Sequence, residues 1–114
     1  MSQQSTPLLT LTVALTGAVA AARFVTPAGA QAGADANTLG VARIAGASGD
    51  KIPVDAIGTA VVEAGAAIAL GATLEVDASG RAVTWATSGA KVGIALQAAS
   101  AAGNFIEVLL LPNA

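Results

Sequence analysis

Glu75 and Asp77 are the two residues whose type and spacing come nearest to a chemical site. Side chains two apart on an extended strand share a face, and two carboxylates so placed could work as an acid–base pair or offer oxygens to a calcium ion. No further acidic residue stands near them in sequence, and both sit beside a turn, where solvated carboxylates are the ordinary case. They are read as outward surface residues. Histidine, cysteine and tyrosine are absent, which leaves seven carboxylates and five cations and removes the usual general bases, thiol nucleophiles and imidazole or thiolate metal ligands. An enzyme is not expected, and no catalytic, cofactor-binding or metal-ligating residue is assigned.

The partners that charge and aromatic residues would recruit are equally poorly served. The net charge is −2, and Arg23, Arg43, Lys51, Arg81 and Lys91 are scattered, so no basic run could neutralise several phosphates and nucleic acid is not an expected partner. Two Phe, one Trp and no Tyr provide little platform for stacking sugars or bases. Charged residues make up 11% of the chain, less than half the share in an ordinary soluble domain. Its polar surface must come from Thr, Ser, Gly, Gln and Asn, a surface suited to assembly.

The elements that would position these residues centre on residues 71–96, GATLEVDASGRAVTWATSGAKVGIAL. Leu74 and Val76 alternate with Thr73, Glu75 and Asp77, and Val83 and Trp85 alternate with Ala82 and Thr84, the period of two half-buried strands. Asp77-Ala78-Ser79-Gly80 fits a type I turn. Closing it at Val76 and Arg81 predicts Leu74 opposite Val83 and Trp85 on the buried face; a slip by one would bury Glu75 with Val83. Beyond Ser88-Gly89, Val92, Ile94 and Leu96 are expected to form an inward row. Gly93 and Ala95, with almost no bulk, then face a close approach by another strand or chain.

With 114 residues the chain is expected to be one domain, with a short arm at 1–7 and a β domain at 8–114. Residues 8–22 followed by Ala28-Gly29-Ala30 could be taken for a secretory h-region and cleavage site. Residues 1–7 carry no basic residue, however, and Leu9, Leu11, Val13 and Leu15 alternate with Thr10, Thr12, Ala14 and Thr16 as a strand does. The apolar run, about 15 residues, is also short of the roughly 20 that span a bilayer. Further strands are expected at 40–44, at 51–54 as an edge because Pro53 cannot donate to a ladder, at 58–63 and at 67–70, with a surface loop at 28–38. Between a turn at Thr16-Gly17 and a short apolar segment at Phe24-Val25, a helix of one turn or so at 18–23 is an alternative. The last strand is apolar on both faces, with Ile106, Val108 and Leu110 in one row and Phe105, Leu109 and Leu111 in the other, so it is central or meets another chain. The fold class is all-β, a small barrel or sandwich of short antiparallel strands with no helix beyond two turns.

Residues 71–76 resemble the hairpins of small β domains that carry biotin or lipoate, but the tip here is Ala78-Ser79 rather than the lysine that is modified. Gly40-Val41-Ala42, Ser48-Gly49-Asp50, Gly58-Thr59-Ala60, the link at 64–71, Asp77-Ala78-Ser79-Gly80, Lys91-Val92-Gly93-Ile94-Ala95-Leu96 and the final strand are, in their order and spacing, similar to the capsid cement, or head decoration, proteins of tailed bacteriophages. The resemblance covers roughly residues 8–111. It implies a structural protein, made in the host cytoplasm, that binds the outer surface of the assembled virion capsid, often as homotrimers, and clamps neighbouring major capsid subunits, with no cofactor and no membrane. Gln3, Gln4, Ser5, Thr6 and Leu8 are the candidate capsid contacts, and Gly93, Ala95, Phe105, Leu109 and Leu111 the candidate subunit contacts. A small ligand-binding or adhesive β module is the alternative.

Overall fold

Eight strands make up the described part of the chain: β1 (Pro7–Ala14), β2 (Phe24–Val25), β3 (Gly40–Ala42), β4 (Lys51–Glu63), β5 (Thr73–Val76), β6 (Ala82–Thr84), β7 (Gly93–Ala95) and β8 (Phe105–Leu110). The structure is a computed structural model that describes residues 6–34, 36–86 and 89–110. The thirteen-residue β4 holds it together: its first half pairs with β1 on one side and β3 on the other, and its second half pairs with β8. The sequence predicts two strands here, one of them an edge; the structure joins them in an interior strand. Pro53 is tolerated because its carbonyl accepts the Arg43 N–H at 3.1 Å. The donor that proline lacks would point to that same side, toward Arg43 just past the end of β3, so its absence ends that ladder and leaves the pairing with β1 intact. At Gly58 φ is +108°, and the register of β1 against β4 shifts twice beside it. That bend carries β4 from one half of the sheet to the other.

The strands follow the order β2-β3-β4-β8-β7-β5-β6, all antiparallel, with β1 attached to β4. The two ends of this sheet meet in a nearly closed barrel. The Phe24 N–H donates to the Gly80 carbonyl at 2.8 Å, Gly65 N–H donates to Ala82 at 2.7 Å and Glu63 N–H to Ala22 at 2.9 Å. Across this seam Glu63 receives Arg23 at 3.1 Å and Arg81 at 3.5 Å, while Arg81 also reaches Asp77 at 3.2 Å. Phe24 and Val41 turn into the barrel with Val62, Leu74, Val76, Ile106 and Val108. Their neighbours Val25 and Ala42 turn the other way and pack with Leu15, Val19, Ile52 and Val54 in a second, smaller core. The period-two alternation of β2 and β3 thus serves two cores at once.

Several expectations are corrected. In the β5–β6 hairpin Leu74 faces Thr84, Glu75 faces Val83 and Val76 faces Ala82, one residue away from the predicted register. The type I turn is present, with Gly80 N–H donating to Asp77 at 3.2 Å and the Asp77 carboxylate accepting from Ser79 and Arg81 N–H groups at 2.8 Å. Gly80 then takes a left-handed conformation, φ +78°, and Asp77 N–H donates to Arg81 at 2.9 Å, so the loop is three residues closed by a glycine bulge. The slip buries Glu75 after all, with one carboxylate oxygen accepting the Ala86 N–H at 3.0 Å. Ala82, rather than Val83 or Trp85, is the residue of this strand that enters the core. Trp85 is only half-buried, its indole N–H donating to Gly89 at 3.1 Å and its ring carrying the Lys91 ammonium 4.6 Å from the centroid.

In β7 the inward row is also different. Ala95 stands opposite Val108, a core residue, and is itself in the core with Val92, whereas Ile94 and Leu96 lie half-buried on the outer side. Residues 67–70 form an irregular segment rather than a strand, held by a two-bond bridge between Ile68 and Ala99 and ending in a turn at Leu70. Residues 18–23 contain a bridge between Val19 and Gly46 and no helical turn.

Candidate functional site

The Glu75–Asp77 pair dissolves in three dimensions, Glu75 being buried against the strand end and Asp77 capping the turn. Among the described residues no three His, Cys, Asp or Glu side chains come together as metal ligands would. What the fold does present is apolar surface in two places.

The first is β1. Only its last turn toward Leu15 reaches a core; Leu8 is 77% exposed, and Leu9 and Leu11 are exposed as well. The expected apolar alternation of Leu9, Leu11, Val13 and Leu15 exists, but its first two members look into an open groove of about 270 Å³ shared with Pro27, Leu39, Ala56 and Ile57. Polar bonds fasten the strand from behind. Thr10 donates its hydroxyl to Asp55 at 2.9 Å, and Arg43 reaches the same carboxylate at 2.7 Å. Asp55, 3% exposed, is satisfied there by an ion pair and a neutral hydrogen bond, as a buried carboxylate must be. Ahead of β1, Thr6 exchanges bonds with Thr59: its N–H donates to the Thr59 hydroxyl at 2.9 Å, and its carbonyl accepts the Thr59 N–H at 3.1 Å. Gln3, Gln4 and Ser5 lie outside the described residues.

The second surface is the outer face of β8. Directly opposed residues on antiparallel strands share a face, so Thr59, Leu109, Ile94 and Thr73 form one row across β4, β8, β7 and β5. Phe105 and Leu109 are 53% and 37% exposed in this face. Between them Glu107 is buried, its backbone N–H donating to the Gln97 side chain at 2.7 Å. Gly93 and Ala95 are buried within the subunit, and the close approach expected at Gly93 is made by a strand of its own sheet: a Cβ there would stand 2.7 Å from the Leu109 carbonyl oxygen. Leu111 lies outside the described residues. The groove residues Leu39 and Ile57 and the Arg43–Asp55 pair went unnoticed in sequence, and the one available signal was Asp55 in the midst of an apolar strand.

The model of a family described as phage cement protein matches this chain over residues 3–110. The chain belongs to the phage cement protein family. No curated protein matches it. Among solved structures it is similar to the head fiber gp8.5 N base in bacteriophage phi29, with 20% sequence identity, a TM-score of 0.73, and coverage of 90% of this chain and 93% of that one. At that identity the likeness establishes a shared fold. Membership of the cement family gives the protein a structural, capsid-associated role in a bacteriophage.

Proposed function

We propose that this cement protein binds the outer surface of the assembled capsid and stabilises it by clamping neighbouring major capsid subunits. The observation that carries this reading is Leu8, 77% exposed near the start of the uncharged strand β1 on a chain with few charges elsewhere. Exposed contiguous apolar surface marks an interaction site. Leu8 and Thr6, with Gln3, Gln4 and Ser5 ahead of them, face the shell, and Phe105 and Leu109 provide the contact between subunits of a homotrimer. Each contact is small, so attachment draws on several copies engaging adjacent capsid subunits, where the second contact forms at high effective concentration. The virion exterior is its working location and the host cytoplasm its place of synthesis.

The groove at β1 does not favour a small-ligand module. Its volume falls just below the roughly 300–1,000 Å³ of ligand pockets, and Thr38 is the sole polar side chain among its lining residues. The test is co-sedimentation with empty expanded capsids, with isolated major capsid subunits as the comparison. Binding to shells alone supports the reading; equal binding to isolated subunits, or none to either, overturns it.

A further inference from the structure

Among the described residues no strand pairs with the outer edge of β1. Because the Pro53 carbonyl faces β3, the neighbouring Ile52 and Val54 face β1, and their partners there are Val13 and Leu11. Strand geometry then turns the N–H and C=O of Thr10 and Thr12 away from β4, where they meet no partner among the described residues. Free strand edges are normally protected by lysine, proline or a bulge. The stretch LTLT at residues 9–12 has no charge and no proline, and its irregularity ends at Thr10.

We propose that two copies of this protein pair antiparallel along their β1 edges about a two-fold axis at Leu11. This is the register in which every outward group identified finds another: Thr10 of each copy exchanges both backbone bonds with Thr12 of the other. Leu11 then meets the second copy's Leu11, and Leu9 meets the second copy's Val13, so the leucines left bare in the groove cover one another. Charge favours the same occupant. Residues 7–14 carry none, and the nearby Arg43 is paired with Asp55, so the edge strand itself presents no charge that would repel a second copy. Standard interfaces bury about 800 Å² per partner from 20–30 residues, so β1 and its groove bury only about 400 Å² a side. That is too little for a stable dimer in dilute solution and enough for copies already held side by side. An isologous contact cannot close a trimer; it joins one oligomer to the next, a link between decorations that goes beyond their attachment to the shell.

The natural chain has no cysteine, so single introduced thiols report the contact directly. Opposed residues of a non-hydrogen-bonded pair have Cα atoms about 4.5 Å apart, within disulfide range. At about millimolar protein, Leu11→Cys should therefore form a disulfide dimer at least about tenfold faster than Leu70→Cys, an exposed position on a turn outside β1 that reports random collision. Thr10→Cys and Thr12→Cys should each link poorly alone and well when mixed, because they stand opposite each other. Thr12→Lys added to Leu11→Cys should abolish the advantage while leaving the melting temperature unchanged. Equal rates at Leu11 and Leu70, self-linking at Thr10 and Thr12 as fast as at Leu11, or an advantage indifferent to Thr12→Lys would each overturn the pairing. Linkage of Leu11→Cys solely to a capsid subunit on decorated shells would replace the second copy by a strand of the shell.

Discussion

Gly93 has no room for a side chain between its neighbouring strands, and adding a single methyl group there should be costly. Its Cβ would sit 2.7 Å from the Leu109 carbonyl oxygen, a backbone atom that cannot turn aside as a side chain would. β7 is held between β8 and β5, so relief requires spreading one ladder or the other. Overpacking of this kind costs about 1–3 kcal/mol. The lower entropy of the unfolded alanine chain returns about 0.4–1 kcal/mol, leaving a net loss of roughly 1–2 kcal/mol. For a domain of this size each kcal/mol moves Tm by about 3–6 °C, so Gly93→Ala should melt about 5–10 °C lower in calorimetry. Gly17→Ala is the control, since a Cβ there meets nothing within 4 Å and φ is not positive; it should melt at or slightly above the parent. A Gly93→Ala variant that melts with Gly17→Ala would refute the close approach of β7 to β8.

Asp55→Ala leaves Thr10 and Arg43 without their shared carboxylate and should cost about 1–3 kcal/mol, with amide exchange at Leu11 and Val13 rising more than at Ile106; uniform exchange would show that β1 is not held by this clip. Phe105→Ser with Leu109→Ser should leave the unfolding free energy within about 0.5 kcal/mol, as exposed positions do, while reducing the oligomer seen by analytical ultracentrifugation; an unchanged oligomer would move the subunit contact elsewhere.

The elements differ in how far the sequence reveals them. The Asp77 turn was legible because its side-chain bonds are local, and the two rows of β8 because strict alternation on an apolar strand admits only one pairing of faces. The register of that same hairpin was not, since it depends on whether Gly80 ends the turn or adds a left-handed bulge, and the amino acid permits both. Pro53 and Gly58 read as interruptions of β4, yet each sits where the chain can spare a donor or needs a bend. Of the candidate contacts, Leu8, Phe105 and Leu109 are exposed, whereas the sequence pattern turns Gly93 and Ala95 outward by giving the bulkier Ile94 and Leu96 to the core. Pairing with Val108 decides otherwise, and that is a long-range fact.

The central claim, that this cement protein stabilises an assembled shell, is tested most directly by calorimetric melting of expanded capsids titrated with the protein. The account predicts a rise in capsid melting temperature that saturates with occupancy and is only mildly weakened from low to moderate salt, because the contact is apolar and hydrogen-bonded rather than ionic. Capsids that bind the protein to saturation and melt where bare capsids do would contradict it.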